Sequence, residues 1–210
     1  MKYTEPFMLQ DVDEVKRLVR ENPWATLVSP TTHGLIASHC PVILENDVAD
    51  ISVISHLGRP DDELHELGTH EVLLIVQGPH GYISPSWYLD DPAIPTWNHV
   101  TAHLYGTPQL LEDEENYQML GRLVDQFENR MPEPARMSDS EEYARQIYQR
   151  TAGFRIHVSH FDARLKLSQN KSPASVARVI AELDSGDNYA NPPLAREMRR
   201  VHIRDNSTEG

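Results

Sequence analysis

Read by the spacing of its apolar positions, the chain alternates between strand-like and helix-like stretches. In "LQDVDEVKRLVRENP" the apolar residues Val12, Val15, Leu18 and Val19 fall on one face of a helix. Asp11 is placed to cap that helix with Glu14 three residues on, and Pro23 ends it. "WATLVS" and "LIASHCPVIL" read as strands flanking "PTTHG", a hairpin connection that ends in Gly34. "DISVIS" is a third strand, and "HLGRPDDELHELG" is a turn leading into a short helix with Gly68 as its C-cap. "EVLLIVQG", the most apolar run, predicts a central strand, and "NHVTAHLYGTPQLL" a long one. Two helices follow. The first puts Tyr117, Leu120, Val124 and Phe127 at helical spacing; the second is capped by Ser138 or Ser140 and turns Tyr143, Ile147 and Tyr148 inward. "FRIHVSHFDARLKL" returns to a period of two, with Phe154, Ile156 and Val158 on one face and His157 and Ser159 on the other. "SPASVARVIAELDSGD" is an amphipathic helix with Ser172 as cap and Pro173 at its first position. There is no fixed-period repeat, so the pattern predicts one domain, with helices covering the ends of a mainly antiparallel barrel or sheet.

Composition narrows the class. No apolar run approaches the roughly 20 residues that span a bilayer, and no role at a membrane is expected. The first residues, "MKYTEPFMLQDVDEVKRLV", place acids where a signal peptide needs an apolar segment. Cys40 is the only cysteine, which excludes an internal disulfide, and the expectation is a cytoplasmic protein. The net charge of −13 disfavours DNA, because phosphate neutralisation by Lys and Arg supplies most non-specific affinity for it. The one basic cluster is the tail "LAREMRRVHIR", with Arg196, Arg199, Arg200 and Arg204, and it reads as a solvated terminal helix before it reads as a DNA reader.

Candidate chemistry follows from what is missing as much as from what is present. No glycine-rich phosphate loop precedes a helix, and no G-x-S-x-G elbow appears. His99 and His103 share one face of a predicted strand, but a metal needs a further ligand and a second shell, so no metal site is assigned. The residues suit a flat anionic ligand better. A phosphate needs hydroxyls and a guanidinium, and "SHLGRP" offers Ser55, His56, Gly58 and Arg59 where a strand ends. A heteroaromatic ring needs hydrogen bonds along its edge and flat walls. Ser38 and His39 of "GLIASHCP", with Gln77, are candidates for the edge, and Trp87, Tyr88 and Trp97 for the walls. For Trp87 and Trp97 the plainer alternative is packing under a loop.

The order of "GLIASHCPVIL", "SHLGRPDDEL", "VLLIVQGPHGYISPSWY", "PTWNHVTAHLYGTPQLLED" and "GFRIHVSHFDARLKLSQNKS" resembles the PaiB family, from about Tyr3 to about Leu183. These are FMN-binding negative transcriptional regulators related to the pyridoxamine-phosphate oxidase-like proteins. The resemblance implies an α+β, mainly β fold: a six-stranded antiparallel split β-barrel with flanking helices. It would occupy residues 1–185 with a helical insertion at about 112–150, and residues 186–210 would form a C-terminal extension. It implies a homodimer with flavin at the subunit interface. The flavin would lie along Ser38 and His39, with its phosphate at Ser55, His56 and Arg59. "HGYISPSWY" and "PTWNHV" would line the groove or the dimer seam. Where related oxidases add a lysine after the phosphate arginine, this chain has Asp61 and Asp62, whose charges oppose a phosphate. A weak or empty flavin site is therefore one alternative. Lys166 and Lys171 of "KLSQNKS" could restore the charge, with Gln169 beside them; otherwise Ser168, Gln169 and Asn170 simply cap the next helix. The expected function is a dimeric FMN-binding protein of the PaiB type, a negative transcriptional regulator. The alternatives are a flavin reductase or oxidase of a small substrate, with His39, His56 and His80 as candidate acids or bases, and a haem-binding or haem-degrading protein. No catalytic residue is assigned.

Overall fold

The computed structural model describes residues 5–45 and 49–208, with side chains as far as residue 203; Tyr3 and the side chain of Arg204, singled out above, lie outside that range. The chain forms two compact units. The larger is built from Asp11–Val76 and His103–Phe161, the smaller from Met1–Gln10, Gln77–Ala102 and Asp162–Gly210. Among the described residues no helix is long and apolar enough to cross a membrane.

Nine strands are described: β1 (Met8–Leu9), β2 (Trp24–Thr31), β3 (Gly34–Leu44), β4 (Ser52–Gly58), β5 (Val72–Ile83), β6 (Thr96–Gly106), β7 (Gln109–Leu110), β8 (Thr151–His157) and β9 (His160–Lys166). They are hydrogen-bonded in the order β1-β9-β6-β5-β2-β3-β4-β8-β7. Six strands were expected. Two of the additional ones, β1 and β7, are two-residue pairings too short to show a period. The other comes from "FRIHVSHFDARLKL", which is two strands rather than one. Val158 and Ser159 leave the ladder there, and their amides donate to the Ile51 and Tyr105 carbonyls.

In the larger unit, helix α1 (Val12–Glu21) begins at Asp11, whose carboxylate accepts from the Asp13 and Glu14 amides, and it buries Val15, Leu18 and Val19. The β2–β3 hairpin pairs Thr31 with Gly34, where a φ of +112° requires the glycine. Strand β4 lies between β3 and β8, and a short helix α2 (Asp61–Leu64) follows it. Helix α3 (Asp113–Glu128) inserts Met119 beside Ile43 and Ile54, with Leu111, Leu120 and Leu123 around them. Its buried positions are Asn116 and Met119; Phe127, which shares the helical spacing of Tyr117, Leu120 and Val124, is exposed. Helix α4 (Glu141–Ile147) also departs from expectation, because Tyr143 and Ile147 are exposed. Spacing identifies an apolar stripe but not whether a partner surface exists for it.

In the smaller unit, helix α5 (Pro173–Ser185) starts as its sequence implies: the Ser172 hydroxyl accepts from the Ser175 amide, and Val176, Val179 and Leu183 are buried. Helix α6 (Pro192–Thr208) is not the fully solvated tail expected of it. Leu194, Ala195 and Met198 have no exposed surface, and α6 packs on α5.

Candidate functional site

The sequence-derived site residues divide between the two units. Ser38, His39, Ser55, His56 and Arg59 lie in the larger one, and Gln77, Trp87, Trp97, Lys166 and Gln169 in the smaller.

In the larger unit the pairings Thr26 with His39, Val28 with Ala37 and Pro30 with Leu35 put these residues on one face of the sheet, joined by Ile75 and Leu73 of β5. This face is largely apolar. At its two ends Trp24 is 64% and Leu35 80% exposed. His39 bonds through Nδ1 to Thr26 Oγ1 at 3.0 Å, and its ring lies 6.4 Å from that of Trp24.

Ser38 points to the other face. Its hydroxyl lies 2.9 Å from Nε2 of His65, whose Nδ1 is 2.7 Å from the buried Ser29 hydroxyl. The His65 ring is 1% exposed, and burial lowers its pKa against the opposing charge of Asp61. One ring nitrogen of the neutral imidazole donates while the other accepts, so His65 bridges both serines.

Ser55 is also turned inward. Fully buried, it donates to the Pro41 carbonyl at 2.6 Å. His56, on the opposite face of β4, is the reverse case: its Nδ1 is buried with no hydrogen-bond partner, and burial lowers its pKa. Arg59, with half of its side chain exposed, donates through Nη1 to Asp62 Oδ2 at 2.8 Å. Its amide donates to the Arg150 carbonyl, which brings the Arg150 backbone beside it. The other Asp62 oxygen is buried and unpartnered. These groups fit a phosphate ester in part: Arg59 and His56 keep donor capacity, whereas Ser55 has none to give.

In the smaller unit the aromatic motifs and "KLSQNKS" meet. Asn98 Nδ2 donates to the Ser168 hydroxyl at 2.9 Å, and the Tyr88 hydroxyl lies 3.2 Å from that same oxygen. The Lys166 ammonium donates to the Trp97 carbonyl at 2.9 Å and to Thr96 Oγ1. Burial, then the charge of Arg164, lowers the Lys166 pKa. Lys171 Nζ sits 4.7 Å over the centre of the Tyr88 ring. Tyr88, Thr96, Asn98, Lys166, Ser168 and Lys171, together with Phe7, Ile94 and Asn170, line a pocket of about 300 Å³.

The two tryptophans part company. Trp87 is buried in a 3-10 turn, while Trp97 is 56% exposed with its ring edge-on to Tyr82. Gln169 closes its own loop, accepting from the Leu167 amide and donating to the Leu165 carbonyl. Gln77 is exposed and reaches Nδ1 of His80 at 3.2 Å.

Residues 1–160 match the family described as "Putative FMN-binding domain". The chain belongs to this family. Among its relatives is the Bacillus subtilis "Protease synthase and sporulation protein PAI 2", 30% identical over 198 residues that cover 93% of each chain. An uncharacterised Saccharomyces cerevisiae protein, YKL070W, is 34% identical over 108 residues, 48% of this chain and 64% of its own. Two solved structures share the fold. The flavocytochrome Anf3 from Azotobacter vinelandii has a TM-score of 0.58 at 15% identity, covering 79% of this chain and 72% of its own. The FAD and heme binding protein from Mycobacterium smegmatis has a TM-score of 0.58 at 14% identity, covering 81% and 78%. The fold is therefore the mainly antiparallel split barrel, carried among the described residues on nine strands and six α-helices.

Within this family fold, sequence reasoning missed His65 and Arg150. His65 sits in "DDELHELG", where nothing local says that its ring reaches two strands. Arg150 arrives beside Arg59 through the pairing of Gly58 with Thr151, a contact between distant segments.

Proposed function

We propose that this chain binds FMN and acts, as a cytoplasmic homodimer, as a negative transcriptional regulator of the PaiB type. The observation that carries the flavin reading is the pairing of a buried, unpartnered His56 Nδ1 with a half-exposed Arg59 three residues on, in a member of this family. A buried polar atom without a partner is costly, and a ligand oxygen at that position removes the cost. Arg59 holds phosphate through the part of its guanidinium that Asp62 does not take, and Asp62 fixes its orientation. Bound FMN supplies redox chemistry that no side chain has. The exposed face bearing Trp24, His39 and Leu35 gives a largely apolar wall for the ring system and ground on which a second copy can close. Two tail arginines are already engaged, Arg199 with Asp184 and Arg200 with Glu197, so DNA contact would draw on few free cations.

The test is an absorption spectrum of the purified protein followed by FMN titration and sedimentation. Saturable FMN binding to a dimer supports the reading. A Soret band in place of flavin absorbance, or a monomer that ignores FMN, refutes it. Salt-sensitive retardation of promoter DNA decides the regulatory part, and no retardation at low salt counts against it.

A further inference from the structure

The pocket of the smaller unit goes beyond the flavin reading, because its charge is unbalanced. The chain carries 32 acids against 19 Lys and Arg, yet no acid lines this pocket and two lysines do. Among the described residues neither Lys166 nor Lys171 makes an ion pair, although both are held in place. Thr96 and the Trp97 carbonyl fix the Lys166 ammonium, and the Tyr88 face fixes Lys171. Asp90 feels the charge of Lys171, but its carboxylate is taken up by the Ser172 amide and by Ser175. Close by in the fold, Arg164 is 7% exposed, its Nε is buried without a hydrogen-bond partner, and its positive charge is felt at Lys166. Placing like charges together at a partly buried site is unfavourable unless an anion joins them.

We propose that this pocket binds a small organic oxyanion, its charged head between Lys166 and Lys171 and its apolar body against Phe7 and Ile94. A volume of about 300 Å³ is at the low end for ligand pockets and suits a single ring or a short chain rather than a nucleotide. Two of the three Lys166 N–H groups are occupied by protein oxygens, which leaves one for the ligand. The Ser168 hydroxyl lines the pocket but is already taken up by Asn98 and Tyr88, so the two ammonium groups are the donors left for the ligand. Lys166, whose charge was a candidate to restore the balance at the flavin phosphate, is thereby assigned to a different ligand.

The test is calorimetric titration of the full chain with phenyl phosphate, benzoate, inorganic phosphate and, as an uncharged control, benzyl alcohol, alongside FMN. Phenyl phosphate or benzoate should saturate, and the tighter of the two names the head group. Lys171→Gln should weaken that binding by about tenfold or more, the loss of one charge-assisted contact, and leave FMN affinity unchanged. Lys166→Gln should act likewise; if it fails to fold, Lys171→Gln decides alone. No saturation with either aromatic anion, equal affinity in Lys171→Gln, or benzyl alcohol binding as tightly overturns the proposal. Inorganic phosphate binding as tightly as phenyl phosphate overturns the role of Phe7 and Ile94. Because FMN is titrated separately, failure here is distinct from failure of the flavin reading.

Discussion

The two units carry polar motifs of similar make-up and use them differently. In the larger unit "SHLGRP" and "LIASHCP" send their hydroxyls inward: Ser55 to the Pro41 carbonyl and Ser38 to His65. Arg59, the one long cation of these motifs, meets Asp62. In the smaller unit "KLSQNKS" also spends its short groups on itself, Ser168 on Asn98 and Tyr88, Gln169 on its own loop. Its two lysines remain on a pocket wall that, among the described residues, no carboxylate lines. A hydroxyl or amide close to the backbone is recruited by nearby buried groups that must be satisfied. Long cationic side chains escape that demand and stay available to a ligand.

The strongest break in this comparison is His65→Ala. The substitution removes a fully buried ring and leaves the Ser29 and Ser38 hydroxyls without partners. Cavity and unsatisfied polar groups together should cost about 3 kcal/mol of stability in urea unfolding. A cost under about 1 kcal/mol would mean that water replaces the ring, and the larger unit would then have polar groups to spare after all.

Arg59→Ala comes next. If the guanidinium holds phosphate, FMN affinity falls by roughly 1.5–3 kcal/mol, typical of charged hydrogen bonds, while riboflavin affinity is untouched. Equal loss for both flavins, or none for either, would remove Arg59 from a phosphate site and leave it as the partner of Asp62.

What the sequence made legible was local. Asp11 before α1, Ser172 and Pro173 before α5, and Gly34 in the hairpin are each settled by a few neighbouring residues, and each stands where the pattern placed it. What it hid was set at long range. The split of β8 from β9 depends on carbonyls of Ile51 and Tyr105; the outward turn of Tyr143 depends on whether a surface lies opposite. Among the site residues, Ser38 and Ser55 were chosen for chemistry they do possess. Their partners, His65 and the Pro41 carbonyl, were invisible because side-chain direction alternates along a strand and only pairing decides what each face meets.

A gentler probe is pH. Burial depresses the pKa of His56 and His65 in the larger unit; in the smaller, burial and then the charges of Arg164, Lys166 and His80 depress that of His99. The folded chain resists protonating these rings, whereas the unfolded chain accepts protons near the ordinary value of 6.5. Their contribution is therefore intact above 6.5 and is lost as pH falls from there through the depressed folded values. Glu66, pulled down to about 2 by Thr32 and His70, adds a second loss below its ordinary 4.5. Urea midpoints should be flat at neutral and mildly alkaline pH and decline on acidification. A midpoint that rises between pH 7 and pH 5 would contradict the sign. His56→Gln should shallow the first decline without touching the second.

The smallest effect on folding belongs to Trp97→Ala, and it sharpens the comparison most finely. More than half of this side chain is exposed, and its one described ring contact is the edge of Tyr82 at 6.3 Å, so stability should move by no more than about 0.5 kcal/mol. Lys166 holds the backbone carbonyl of Trp97, not its ring. The oxyanion pocket should therefore keep its affinity for phenyl phosphate in the variant. If Trp97 belongs to a flavin wall or a dimer seam, FMN affinity or self-association weakens while the oxyanion titration does not. Loss of both together would mean that the ring and the lysine serve one ligand, and the separation of the flavin from the small oxyanion would fail.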